Sequence, residues 1–289
     1  MKHKVSTTSS VSCSGARLFF LHVLCFTTVV CYVNMFQFWA WISKQLGPGL
    51  LVTILPIIVT LVVLVVIASL FIRRVNRGYR IEFLFLGLGI VGAFFSLAIP
   101  DPHVPIKRVH VAEYIVLSFL VRYTLSHRLQ GLNLTLFTAL VTLFFGIHDE
   151  MLQGLHSLRY YGWRDIIVNG TAGLSGSLLG HGLLCFERAG VSQPAGHKRR
   201  AVTFGVVALY ILLAAAVAAH VVLLYQQRGN RFTSLSIFPV TGACLLIGVL
   251  YPEIVMNSQK HHGLQTVFWQ ALGLLIYPLA VHLGGMEFI

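Results

Sequence analysis

Residues 50–72 form a run of 23 positions without one charged side chain, and no other feature of the chain restricts its possible folds as strongly. A helix rises 1.5 Å per residue, so roughly 20 such residues cross the ~30 Å hydrocarbon core of a bilayer. Residues 202–225 repeat the signal over 24 positions, with His220 the most polar side chain. Lipid offers the backbone no hydrogen-bond partners, and long uninterrupted apolar runs select helices over the alternating strands of a barrel. The whole chain agrees, because only 10% of its residues are charged and 56% are hydrophobic, where soluble domains average about 25% charged. A soluble globule is excluded, and the predicted fold class is all-α: a polytopic helical bundle embedded in a bilayer.

Less pure apolar runs at 18–42, 83–99, 109–125, 132–145, 166–186, 235–255 and 264–283 bring the expected total to about nine spans, the fifth being the shortest. Three blocks follow. Residues 1–80 hold two spans and a basic loop, 81–186 a four-helix core, and 187–289 a basic linker and three C-terminal spans.

The formal charge of +12 does not read as a nucleic-acid surface, because the basic residues are divided among loops rather than gathered on one face. Placing the N terminus in the cytoplasm puts 13 of the 21 Lys and Arg on the inner side and 7 outside, with Arg122 near the inner end of the fourth span. That asymmetry follows the positive-inside rule and leaves the C terminus extracytoplasmic. The first apolar run is long for a signal peptide and is followed by Trp39 and Trp41 rather than by a small-residue cleavage site, so it is expected to be retained. Five cysteines without a C-x-x-C pair imply neither a disulfide framework nor a zinc motif.

Small residues recur at helical spacing. Gly89 with Ala93, and Gly176 with Gly180, are small-x-x-x-small pairs that let helices approach closely, and Gly173 continues the second row.

Only the middle block carries a polar signature. At the outer start of the fourth span, Lys107 precedes His110, Glu113 and Tyr114, and spacings of three and four put these last three on one helix face. The outer end of the fifth carries Glu150 and Gln153, which share a face if the helix continues that far. Arg159 follows in a short loop, then Asp165, positioned like a helix N-cap, and Asn169 one turn later. Topology brings all of these to one membrane surface. Ionisable groups within spans cost ~2.5–3.5 kcal/mol on insertion scales and usually face a partner or a wet cavity. Two readings compete. In one, Arg159 pairs with Glu150, Asp165 caps its helix and Asn169 bonds across helices, with no ligand. In the other, the cluster is a site whose carboxylates act as acid, base or cation ligand. One imidazole with scattered carboxylates is a weak metal pattern, so no metal is expected, and Ser175 lies in no nucleophile elbow. His220 and His282 read as interfacial anchors.

The middle block resembles the VanZ-like membrane family of bacteria. Lys107-x-x-His110-x-x-Glu113-Tyr114 is similar to that family's first motif. Glu150-x-x-Gln153, Arg159, Asp165-x-x-x-Asn169 and Gly176 are similar to its second. The resemblance covers about a third of the chain. It implies a bacterial inner membrane and a part in envelope biology linked to teicoplanin resistance, without fixing a reaction or cofactor. The leading expectation is a protein that binds an outer-leaflet or periplasmic ligand, lipid-linked or otherwise of the envelope. The alternatives are an enzyme acting on a lipid-linked substrate with Glu113 or Glu150 as acid or base, an ion-coupled transporter, and a scaffold of an envelope complex.

Overall fold

The computed structural model describes residues 15–46, 48–100, 105–156, 159–187, 258–274 and 276–284, among which no strand occurs. Helix α1 spans Gly15–Leu46, α2 Pro48–Asn76 and α3 Phe83–Ala98. A 3-10 turn at Pro105–Arg108 leads into α4, Val109–Leu125, and α5 and α6 follow at Gly131–Gly154 and Trp163–Gly182. The C-terminal part contributes α7, Ser258–Gly273, and α8, Ile276–Gly284.

Three described helical segments are long and apolar enough to cross a membrane: Gly15–Phe38, Pro56–Asn76 and Gly131–Gly154. Their surroundings fit lipid. Side chains such as Val65 and Leu61 on α2 and Phe83, Leu84 and Val91 on α3 are exposed, whereas Arg122, Asp149, Glu150 and Asn169 are fully buried. Apolar outside and polar inside is the arrangement of a membrane bundle, since a soluble monomer exposes no apolar surface of that extent.

The described residues show this smaller number and not the expected nine spans. Those expected at 202–225 and 235–255, together with His220 and the side chain of His282, lie outside them. The span expected as one run over 264–283 is two helices, α7 and α8. Pro278 explains the break, because it has no N–H for the Leu274 carbonyl four residues earlier. In the other direction, α5 is longer than the 132–145 run suggested and continues through His148, Asp149 and Glu150 to Gly154. The sequence left open whether the helix continues through those polar residues; it does, because tertiary partners satisfy them inside the bundle.

Helix α6 is the hub, packing on α3, α4 and α5. Its small residues set the distances. A β-carbon added at Gly176 would lie 2.8 Å from Ser118 Cβ and 2.9 Å from the Ile115 carbonyl oxygen on α4. One at Gly180 would lie 2.6 Å from Arg122 Cδ, and one at Gly173 would lie 2.6 Å from Thr142 Cγ2 on α5. On α3, Gly89 admits Leu179 of α6, and Ala93 packs against the core one turn later. Such close approach is how membrane helices associate without a hydrophobic driving force.

Candidate functional site

The N-terminal end of α4, the C-terminal end of α5 and the start of α6 meet at one end of the bundle, and Asp149 lies where they join. The Tyr114 hydroxyl donates to Asp149 Oδ2 at 2.9 Å, and Asn169 Nδ2 reaches the same oxygen at 3.3 Å. Gln153 Nε2 donates to Oδ1 at 3.0 Å, one turn along α5. Tyr114 also approaches the Phe145 carbonyl at 3.3 Å. A fully buried carboxylate thus accepts from three side chains on three helices, which is what allows an acid to sit in so apolar a chain. Gly146 leaves room for this contact, because a β-carbon there would lie 2.9 Å from Asn169 Cβ.

Around this hub lie the polar residues that the sequence grouped on α4, α5, α6 and the loop between the last two. Lys107 Nζ pairs with Asp165 Oδ2 at 2.5 Å, tying the turn before α4 to the first turn of α6. His110 Nδ1 stands 3.0 Å from Glu113 Oε2 on the same helix face. Glu150, fully buried, accepts the Gly162 N–H on Oε2 at 2.9 Å. Its other oxygen, Oε1, has no hydrogen-bond partner among the described residues, and neither has Asn169 Oδ1. Arg159 donates through Nη2 to Gln153 Oε1 and lies 4.8 Å above the ring of Phe36.

Two expectations are corrected here. Arg159 takes Gln153 rather than Glu150, whose own partner is the Gly162 backbone. Asp165 is not the N-cap of α6: the helix begins two residues earlier, with extended Gly162 in that position, and Asp165 sits in the first turn. There its negative charge still complements the helix dipole while it pairs with Lys107.

Sequence reasoning missed Asp149 and the part that the first helix plays in the site. The signal for Asp149 was its i,i+4 relation to Gln153, overshadowed by the Glu150-x-x-Gln153 spacing. Helix α1 closes one side of the site, with the Tyr32 hydroxyl on the Glu113 carbonyl at 3.0 Å and Gln37 Nε2 2.8 Å from His156 Nε2. Nothing in the first apolar run predicts those partners. Tyr161, in the loop between α5 and α6, keeps its proton to well above the ordinary range, because burial and then the nearby Glu150 charge oppose ionisation.

The arrangement offers hydrogen-bond acceptors in excess. Four carboxylates, those of Glu113, Asp149, Glu150 and Asp165, share the cluster with Lys107, Arg159 and His110, and among the described residues the buried atoms there without a hydrogen bond are three oxygens, on Glu113, Glu150 and Asn169, and the His110 Nδ1 that faces Glu113. Among the described residues no group of three or more His, Cys, Asp or Glu is arranged to hold a metal ion. Comparisons with protein-family models, with curated proteins and with solved structures found no match.

Proposed function

We propose that this is a VanZ-like protein of the bacterial inner membrane, with about nine spans, a cytoplasmic N terminus and an extracytoplasmic C terminus. At the Asp149 cluster it binds an outer-leaflet or periplasmic ligand, lipid-linked or otherwise part of the envelope, and so affects sensitivity to glycopeptides such as teicoplanin. The observation that supports a ligand most directly is the pair of buried oxygens on Glu150 and Asn169 that have no hydrogen-bond partner among the described residues. A buried acceptor left empty costs about 1–3 kcal/mol, which a ligand donating N–H or O–H groups would offset. The test is expression in a glycopeptide-susceptible bacterium. Teicoplanin sensitivity should fall, and Glu150→Gln should abolish the effect at unchanged membrane abundance. Identical sensitivity with and without the protein would overturn the reading.

A second reading, an enzyme on a lipid-linked substrate, is favoured by the His110–Glu113 pair, which sets an imidazole 3.0 Å from a buried carboxylate, an acid–base couple that a substrate could align. Glu113→Gln should then abolish turnover of such a substrate without loss of protein. Equal loss of protein would instead mark Glu113 as a folding residue.

A further inference from the structure

A cleft of about 480 Å³ lies at the other end of the bundle, between the start of α1, the end of α4 with the turn into α5, and α7. Leu18, Phe19, Leu125, Leu129 and Trp269 wall it, and Arg128 stands at its edge. That volume is within the ~300–1,000 Å³ of ligand pockets. Its chain order separates it from the Asp149 cluster: α4 begins at the cluster and ends at the cleft, and α5 returns.

The three described segments that line the cleft carry charge of one sign. Neither α1, nor residues 120–131, nor α7 contains an Asp or Glu, whereas these segments carry Arg17, Lys44, Arg122, Arg128 and Lys260 and the histidines at 22, 127, 261 and 262, with Arg122 paired to Glu187. Arg128 is exposed and has no ion-pair partner among the described residues. Arg17 donates to the Tyr123 hydroxyl at 3.1 Å, which holds a second guanidinium beside the end of α4. A water-soluble anion would gain nothing from the apolar walls, and a neutral lipid nothing from the cationic edge. A ligand that satisfies both is an amphiphile with an anionic head, and basic pockets between membrane helices are recognised sites for such head groups.

We infer that this cleft binds an anionic phospholipid, with an acyl chain against Phe19, Leu125 and Trp269 and its phosphate at Arg128. The site is independent of the Asp149 cluster and of any ligand there.

Native mass spectrometry of the full chain tests it, after exchange into matched detergent solutions of phosphatidylglycerol or phosphatidylcholine with identical acyl chains. The protein should retain phosphatidylglycerol preferentially, and Arg128→Gln should reduce that preference about fivefold, the equivalent of about 1 kcal/mol per basic residue near a membrane surface. Thr266→Trp, which fills the cleft from α7, should reduce retention of both lipids. Equal retention of the two lipids by the unaltered protein would overturn the inference, as would a preference that survives Arg128→Gln. Quantitative disulfide cross-linking of a cysteine at position 19 to cysteines placed between 202 and 225 would overturn it too, by showing that the chain itself fills the space.

Discussion

The hydroxyl of Tyr114 and the carboxylate of Asp149, 35 residues apart and both buried, meet at 2.9 Å and join α4 to α5 at the polar end of the bundle. Tyr114→Phe removes this bond and leaves the ring packing in place. Hydrogen bonds between membrane helices average ~0.6 kcal/mol, but charged acceptors raise the value, so the expected cost is about 1–2 kcal/mol. Thermal unfolding of the detergent-solubilised protein, followed by size-exclusion fluorescence, measures it; an unchanged midpoint would remove Tyr114 from the network.

Asp149→Asn and Glu150→Gln should behave differently although they are neighbours. An Asn at 149 turns one end of the side chain into a donor facing Gln153 or facing Tyr114 and Asn169, and the expected cost is about 1–3 kcal/mol with lower membrane abundance. A Gln at 150 can still accept the Gly162 N–H through its carbonyl, so abundance should match the parent and only ligand-dependent function should fall. Quantitative immunoblotting of membranes alongside the sensitivity assay separates the two effects.

Gly176→Ala should destabilise more than Gly180→Ala. The added methyl at 176 meets the Ile115 backbone at 2.9 Å, which moves only if α4 moves, whereas at 180 it meets the Arg122 side chain, which can shift without moving the α4 backbone. Overpacking of this kind costs about 1–3 kcal/mol, and comparing the unfolding midpoints of the two variants gives the order.

Acid should loosen the exit of α6. Arg122, fully buried, donates to Glu187 Oε1 at 2.9 Å and to the Cys185 carbonyl at 3.0 Å, and His181 Nδ1 stands 3.3 Å from the same Glu187 oxygen. Burial alone would raise the carboxyl of Glu187, but the His181 and Arg122 contacts outweigh it and hold its pKa below the ordinary 4.5. A depressed carboxyl stabilises fully above its unfolded value and loses that contribution as pH falls through the folded one. The unfolding midpoint should therefore drop as pH goes below about 4.5, and Glu187→Gln should flatten that drop while lowering stability at neutral pH. Parallel acid profiles for the parent and the variant would contradict this.

The limits of α4 were legible because its apolar run begins and ends in basic and polar residues, and the helix occupies the same 109–125. The far end of α5 was not. His148, Asp149 and Glu150 are helical because Tyr277, Tyr114, Asn169 and the Gly162 amide satisfy them, and three of those four partners are in other helices. The site residues on α4 and α6 could be grouped by topology alone. Their pairing could not, since the exchange of Glu150 for Gln153 as the partner of Arg159 depends on where the Gly162 amide falls.

The break between α7 and α8 has a mechanical consequence. His148 reaches across it, with Nε2 3.0 Å from the Gln270 carbonyl before the gap and Nδ1 2.8 Å from the Tyr277 hydroxyl after it. A single imidazole on α5 therefore fixes the angle at which the last segment leaves its predecessor, much as a pin sets a hinge. Removing that ring would take away both of these ties between α5 and the C-terminal segment.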